Sequence, residues 1–398
     1  MNPQIEKLYH IARKTERKVI GLMSGTSLDG LDVALCSIGG SGIDTRLRLE
    51  KFVTVPYPDL FRDRVREIFA KRQIDQQDLC GLNAFIGSVH GDLVANTLGV
   101  WQIAPSEIDL IASHGQTVYH APQRLTKDLK YPNSTLQLGD GDHIASRSGI
   151  ITLSDFRQKH IAAGGEGAPL AAYGDYLLFT HDREQRFLLN IGGISNFTFL
   201  PKKGTALQPY ATDLGPGNTM MNQYMHKHFG LEMDEGARCA RAGHIHPDLL
   251  TALLHEPFLT DNFPKTTGPE LFNLAYLERA QALTNTASIS PEDVMATLNK
   301  FAASAIVEGI KRASKGMQGL CVYVSGGGLH NPLLMEHIRH DLQTVPVRSF
   351  TELGLNPDAK EACLFALLAN ETVAGGPEHV SSLKDSPAVC MGKISFPY

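Results

Sequence analysis

A glycine-rich turn between two apolar strands constrains the fold of this chain more than any other feature. Residues 18–23 predict a buried strand, Gly, Thr, Ser and Asp fill the turn at 25–30, and residues 31–38 predict a second strand. The pattern returns near the middle, where the runs 186–190 and 196–200 flank Gly192 and Gly193. A repeat of this kind indicates two related α/β halves. Glycine hairpins are common in unrelated folds, so the pattern alone leaves the repeat open.

Composition narrows the class of protein. The chain has 398 residues, enough for two domains, with 42% hydrophobic and 20% charged residues and a net charge of -5. The absence of a basic stripe argues against a nucleic-acid partner. The 6 cysteines include no Cys-x-x-Cys pair, which argues against a zinc ribbon or a disulfide framework. No apolar run reaches the roughly 18 residues of a membrane span, and residues 1–18 lack an apolar signal core. We therefore expect a cytoplasmic protein with no membrane partner.

Periodicity and capping signals predict the remaining elements. Short buried strands are expected at 110–113 and 150–153, each followed by polar side chains, where α/β sheets place ligands. Helices are expected at 59–72, 75–98, 218–229, 247–255, 270–283, 291–314 and 358–372. Asp75 and Ser290 stand at N-cap positions. The predicted domains are 1–150, joined by the tail 376–398, and 151–375, which carries the helical insertions.

The first turn has the chemistry of a phosphate site. Glycines let backbone N–H groups approach an anion, and Thr26 and Ser27 add hydroxyl donors. Asp29 supplies a carboxylate suited to Mg²⁺. The turn is not a Walker sequence, because it has no Gly-Lys-Ser/Thr. A ligand-free hairpin is the alternative, but the crowding of polar residues between apolar strands favours phosphate.

Two further glycine segments fit the same ligand. Residues 213–218 precede a predicted helix and would form a second phosphate site, with Asp213 as a second metal candidate. Gly326, Gly327 and Gly328 follow a buried strand and would allow close approach of adenosine. Each segment alone is also consistent with an ordinary loop.

The order of the three segments resembles the actin, hexokinase and heat-shock-chaperone superfamily. Particular motifs from about Val19 to the C-terminus resemble the anhydro-N-acetylmuramic acid kinase family. These motifs are GTSLDGLD (25–32), SHGQT (113–117), DFR (155–157), GGEGAPL (164–170), NIGGISN (190–196), GPGN (215–218) and PKTTG (264–268). The resemblance implies an α/β fold of two related actin/hexokinase-like, ribonuclease-H-like domains flanking a central cleft. It also implies a kinase that uses MgATP to open 1,6-anhydro-N-acetylmuramic acid with water and to phosphorylate O6, and a homodimer.

The resemblance assigns roles to residues by position. The implied ATP contacts are Gly25, Thr26, Ser27, Leu28, Asp29, Gly30, Leu31, Asp32, Gly192, Gly193, Gly215, Gly217, Asn218, Gly326, Gly327 and Gly328, with Mg²⁺ on Asp29. The implied amino-sugar contacts are Ser24, His114, Gln116, Thr117 and Glu361, and the implied catalytic residues are Asp155, Arg157, His160 and Glu361. Without the resemblance, Glu361 would be interpreted as an exposed helix residue.

One departure from the family falls on the water-activating segment. The family places its base, an Asp, where this chain has His160, and a Gln where it has Glu166. His160 could itself be the base, since neutral imidazole accepts a proton near neutral pH. Alternatively, the chain is a kinase for another sugar, such as levoglucosan, or a weakly catalytic protein that binds nucleotide and sugar. A structural histidine is the remaining interpretation. The sequence leaves these open.

Overall fold

The computed structural model describes residues 1–384 and 386–398. The strands are β1 (Glu16–Ser24), β2 (Gly30–Gly39), β3 (Arg46–Pro56), β4 (Leu110–Ala121), β5 (Ser134–Leu138), β6 (Thr152–Ser154), β7 (Gln185–Ile191), β8 (Ile194–Leu200), β9 (Tyr210–Pro216), β10 (Leu320–Ser325), β11 (Val347–Ser349) and β12 (Lys393–Ser395). The helices are α1 (Pro3–Ala12), α2 (Asp59–Ile68), α3 (Gln76–Trp101), α4 (Gln123–Thr126), α5 (Gly141–Ser148), α6 (Phe156–Ala162), α7 (Ala171–Phe179), α8 (Thr219–Phe229), α9 (Arg238–Ala242), α10 (Pro247–Leu254), α11 (Pro257–Thr260), α12 (Leu274–Thr284), α13 (Pro291–Ala313), α14 (Pro332–Leu342) and α15 (Lys360–Ala374).

The chain divides into two compact units. Unit 1 comprises residues 1–178 and 358–398, and unit 2 comprises residues 179–357. The predicted boundaries at 150 and 375 therefore differ from this division. Residues 151–178 and 358–375 lie in unit 1 because β6 pairs with β4 and α15 packs against β1, β2 and β4.

Unit 1 contains a mixed sheet in the order β12-β6-β4-β1-β2-β3, with β5 on β4. The hairpin strands β1, β2 and β3 are antiparallel, whereas β4 runs parallel to β1 and β6 runs parallel to β4. Strand β1 is buried along most of its length, as expected for a strand in a sheet covered by helices. Residue 21 must be glycine, because a Cβ there would lie 1.8 Å from the carbonyl oxygen of Ala362. The start of α15 is therefore packed directly onto β1.

Unit 2 contains a second sheet with the same plan, in the order β11-β10-β7-β8-β9. Strands β7, β8 and β9 are antiparallel, and β10 and β11 continue in parallel from β7. Helix α13 supplies a large part of the apolar core under this sheet. The shared strand order confirms the predicted α/β class with two related halves.

Most predicted elements are present, and both predicted caps are confirmed. The Asp75 carboxylate accepts a hydrogen bond from the N–H of Gln77, and the Ser290 hydroxyl accepts one from the N–H of Asp293. The prediction of a short strand at 110–113 was wrong in extent, because β4 continues to Ala121. Strand β9, which contains Asp213, was not predicted. Among the described residues, no helix is long and apolar enough to cross a membrane.

Candidate active site

The first glycine turn, in unit 1, exposes its polar side chains, and the leucine between them is buried. Thr26, Ser27 and Asp29 are exposed, while Leu28 between them is only 4% exposed. Leu28 has a φ of 62°, which the turn imposes on a side chain held in the core. A ligand would therefore meet hydroxyl, carboxylate and backbone groups.

Groups beneath the turn hold it at both ends. The Gln116 amide donates to the carbonyl oxygen of Gly25 (3.3 Å), and the backbone N–H of Tyr57 donates to that of Asp29 (3.3 Å). The Tyr57 hydroxyl also donates to Ser24 Oγ (2.7 Å) and lies 2.9 Å from His90 Nε2. Neither Tyr57 nor His90 is predicted from the sequence, since neither lies in a recognisable motif.

The predicted sugar contacts of the SHGQT segment lie inside β4 rather than in a loop after it. Ser24, His114 and Gln116 are 1%, 3% and 0% exposed, respectively. Thr117 is half-buried and accepts a hydrogen bond from the Gln137 amide (3.1 Å). In this structure, Ser24, His114 and Gln116 therefore support the site from within rather than present side chains to solvent.

Arg157 links β4 to the segment that follows β6. Its Nε donates to His114 Nε2 (3.0 Å), and its Nη1 donates to the Gly167 carbonyl oxygen (2.6 Å). Burial lowers the pKa of His114 to about 3, and the Arg157 charge adds to this effect. His114 is therefore neutral and carries its proton on Nδ1, because Nε2 accepts from Arg157. The pair fixes the guanidinium in place.

Glu361 stands in the first turn of α15, where it is exposed to solvent. Surrounding protein atoms partly desolvate the Glu361 carboxyl and raise its pKa, Arg157 opposes that effect, and the Asp32 charge adds to it. Burial also raises the pKa of Asp32, the hydrogen bond from Thr54 opposes that effect, and the charges of Asp358 and Asp29 add to it. Asp32 thus interacts electrostatically with both Asp29 of the turn and Glu361. A carboxyl with a raised pKa is suited to accept a proton.

The geometry of His160 argues against a role as the base. The N–H of Gly167 donates to Nδ1 (3.0 Å), so the neutral ring carries its proton on Nε2. Nε2 is buried and has no hydrogen-bond partner among the described residues. Burial lowers the pKa of His160 to about 4, with Arg157 adding and Glu166 opposing. Neither nitrogen is available to take a proton from water, and the ring instead supports the loop at 164–167.

Two other residues of this segment are held by ion pairs. Asp155 pairs with Lys393 of β12 and has a φ of 56°, so its carboxylate is engaged at the sheet edge. Glu166 pairs with Arg124 (2.6 Å). Of the predicted catalytic residues, Arg157 and Glu361 therefore lie together, whereas Asp155 and His160 have structural partners.

The glycine segments of unit 2 converge on each other. The N–H groups of Gly217, Asn218 and Thr219 donate to the carbonyl oxygens of Gly192 and Gly193 (2.8–3.1 Å). The N–H groups expected to bind phosphate at the start of α8 are thus used within the unit. The adenosine segment lies against the same turn, since a Cβ at Gly326 would be 2.7 Å from the Ile191 carbonyl oxygen.

Two predicted residues of unit 2 are held inside it. Gly215 is buried in β9, where a Cβ would be 3.0 Å from Leu259. The Asp213 carboxylate accepts a hydrogen bond from the Thr267 N–H (2.9 Å). The PKTTG segment therefore runs along β9, and Gly215 serves packing.

Comparison with known proteins identifies the family. The family model for anhydro-N-acetylmuramic acid kinase matches residues 17–396. The chain belongs to this family. It is 52% identical over 400 residues to an anhydro-N-acetylmuramic acid kinase from Pseudoalteromonas atlantica, with 100% of both chains covered. It is 36% identical over 397 residues to the enzyme of that name from Caldanaerobacter subterraneus subsp. tengcongensis, covering 98% of this chain and 100% of the relative. The resemblance inferred from the motifs is confirmed, and so is the enzyme class, a kinase.

Proposed function

We propose that this protein is an ATP-dependent kinase that opens 1,6-anhydro-N-acetylmuramic acid and phosphorylates it on O6. Family membership supports the reaction class and the substrate. The observation that carries the proposal is the packing of the first turn of α15, which bears Glu361, directly on β1, whose end leads into the exposed turn at 25–30. This arrangement combines a surface for phosphate with a carboxyl of raised pKa.

The reaction balances as hydrolysis coupled to phosphoryl transfer. The oxygen of water bonds to C1 of the sugar while the C1–O6 bond breaks, and the proton of water passes to a base. O6 bonds to the γ-phosphorus of ATP, and the bond to the bridging oxygen breaks to release ADP. The products are N-acetylmuramic acid 6-phosphate and ADP.

We assign the proton from water to Glu361. Glu361 is exposed to solvent and its pKa is raised above its ordinary value, whereas the His160 ring has no free acceptor nitrogen. Arg157 is fixed by His114 and Gly167. Its positive charge favours the ionised form of Glu361, which can accept a proton. Among the predicted alternatives, this arrangement favours Glu361 over His160 as the base.

The turn at 25–30 is assigned to the phosphates of ATP, with Asp29 as the residue that holds Mg²⁺. No cluster of three or more His, Cys, Asp or Glu fit to hold a metal occurs in the described part of the chain. A single exposed carboxylate nevertheless fits Mg²⁺, which takes its other ligands from phosphates and water. When bound, Mg²⁺ neutralises phosphate charge. Asp29→Asn should raise the KM for MgATP at least tenfold, and Asp213→Asn should raise it less, because Asp213 accepts a backbone N–H.

A direct assay tests the proposal. Purified protein with MgATP and the anhydro sugar should release ADP, and reaction in H₂¹⁸O should place one ¹⁸O at C1 of the product. Absence of ADP above the sugar-free control would refute the proposal. Equal turnover of ring-opened N-acetylmuramic acid would indicate an ordinary hydroxyl kinase, and faster turnover of levoglucosan would indicate another sugar. Nucleotide binding without turnover on any sugar would indicate a binding protein.

A further inference from the structure

A chain of four buried side chains ends beneath the glycine turn, and two of them, Tyr57 and His90, lie outside every recognised motif. We propose that Tyr57 is a positioning residue that fixes the turn in the conformation that receives ATP phosphates. This inference rests on the proposed function of the turn. The hydrogen-bond chain consists of His90, Tyr57, Ser24 and Gln116, joined at 2.9, 2.7 and 2.5 Å.

The direction of each hydrogen bond follows from Gln116. Its amide nitrogen donates to the carbonyl oxygens of Gly25 (3.3 Å) and Thr117 (3.2 Å), so its Oε1 must accept. Ser24 therefore uses its one proton toward Gln116. Because that proton is taken, Tyr57 must donate to Ser24.

The hydrogen bond from Tyr57 to Ser24 also determines the protonation of His90. Because the Tyr57 proton is directed to Ser24, His90 must donate from Nε2 to the Tyr57 oxygen. His90 is 0% exposed, and burial lowers its pKa to about 3, so the ring is neutral with Nδ1 unprotonated. The hydrogen-bond chain has one consistent arrangement of protons and does not titrate near neutral pH.

Tyr57 contacts the turn at both of its ends. Its hydroxyl donates to Ser24, the last residue of β1, and its backbone N–H donates to the Asp29 carbonyl oxygen. Its ring stacks on Phe61 with centroids 3.8 Å apart and planes at 13°, and the residue is 2% exposed. A ring held in this way fixes the separation between the ends of the turn. Preorganised donors bind phosphate better because the turn loses less conformational freedom on binding.

The test removes the hydroxyl and leaves the ring. Tyr57→Phe keeps the stacking and the backbone bond but removes one hydrogen-bond partner from Ser24 and one from His90. We expect the KM for MgATP and the dissociation constant of MgADP to rise about tenfold, the scale of one lost buried hydrogen bond. The KM for the anhydro sugar should change less than twofold. A purely structural role would shift both KM values alike or neither.

Tyr276→Phe is the matched control. Tyr276 is 7% exposed in α12 of unit 2, and its hydroxyl donates to the Leu253 carbonyl oxygen (2.6 Å). The control removes a comparable buried hydroxyl away from the turn, so its thermal destabilisation should match that of Tyr57→Phe. Its nucleotide constants should remain at the wild-type values.

A double variant tests whether the residues act together. Ser24→Ala should weaken MgADP binding about as much as Tyr57→Phe, and the loss in the double variant should be smaller than the sum of the two single losses, because both single variants break the Tyr57–Ser24 bond. Additive losses would overturn the hydrogen-bond chain as a unit. Unchanged MgADP binding in Tyr57→Phe would overturn the positioning role.

Nucleotide binding is measured without sugar, which separates this inference from the proposed function. If wild-type protein binds MgADP but does not phosphorylate the anhydro sugar, the proposed reaction fails, and the binding data on Tyr57→Phe still decide the positioning role. If wild-type protein does not bind MgADP, both fail.

Discussion

The two glycine turns share a sequence pattern but use their hydrogen bonds differently. In unit 1, the turn at 25–30 is fixed through its carbonyl oxygens by Gln116 and Tyr57, and its polar side chains stay exposed. In unit 2, the carbonyl oxygens of Gly192 and Gly193 accept hydrogen bonds from the start of α8. The first turn is thus supported from the core side, and the second is joined to a helix. A strand–glycine–strand pattern predicts the hairpin but does not predict which groups remain for a ligand.

The largest expected difference between the two units is in how much folding stability each loses at acid pH. Burial lowers the pKa of His90 and His114 to about 3 and that of His160 to about 4, and all three lie in unit 1. Because these values lie below the unfolded value of about 6.5, the folded unit binds fewer protons, and stability present above pH 6.5 is lost as pH falls. Each of the three imidazole rings should lower the free energy of unfolding by about 2 kcal/mol at pH 5.

Hydrogen exchange at pH 7 and pH 5 would measure this difference. Protection, corrected for the intrinsic exchange rate, should fall more in α3 and β4 than in α13 and β10. In unit 2, burial and then Lys300 lower the pKa of His337, which is only half-buried, so its contribution should be smaller. Equal losses in both units would contradict the comparison.

The next largest effect is expected from a variant that tests whether a residue of unit 1 takes the proton from water. Glu361→Gln removes the proposed proton acceptor and should lower kcat at least a hundredfold, within the range for loss of a general base. MgADP binding should change less than threefold, because the turn is intact. Steady-state kinetics and calorimetry would check this. A kcat within fivefold of wild type would show that another group takes the proton.

A pair of glycine variants compares the turns directly. A Cβ at Gly217 would lie 2.3 Å from the Gly192 carbonyl oxygen, so Gly217→Ala should cost about 2–3 kcal/mol of stability. At Gly25 the nearest atom, Ser27 Oγ, is 3.6 Å from the added Cβ, so Gly25→Ala should cost less than about 1 kcal/mol. Gly25→Ala should instead raise the KM for MgATP, because the methyl group obstructs the phosphates. Urea unfolding and steady-state kinetics would check both expectations. A larger stability loss for Gly25→Ala, together with a larger rise in the KM for MgATP for Gly217→Ala, would refute the assignment of the two turns.

The smallest effect is expected at His160. His160→Asn keeps an acceptor for the Gly167 N–H and removes most of the ring, which packs edge-on against Tyr173 (5.8 Å). We expect a loss of about 1–2 kcal/mol of stability and a kcat within threefold of wild type. A hundredfold loss of kcat at full folding would restore His160 as the base. His160→Asp should retain turnover if the site otherwise follows the family.

Local signals predicted the elements but not their use. Asp75 and Ser290 were found because a cap depends on a few neighbouring residues. The extent of β4 was missed because the polar run at 113–117 resembles a loop, whereas in the structure β4 pairs with β5 there. Tyr57 and His90 could not be found, since 33 residues separate them in sequence.

The sequence by itself determined the family, the α/β class and the glycine turn between two strands, because each depends on local residue type and order. Only the tertiary structure decided what supports that turn and which nitrogen of His160 is already used as an acceptor. Those answers depend on hydrogen bonds between distant segments: Gly167 occupies a nitrogen of His160, and Tyr57 reaches Ser24. Burial then sets the protonation of each ring, which no local pattern encodes.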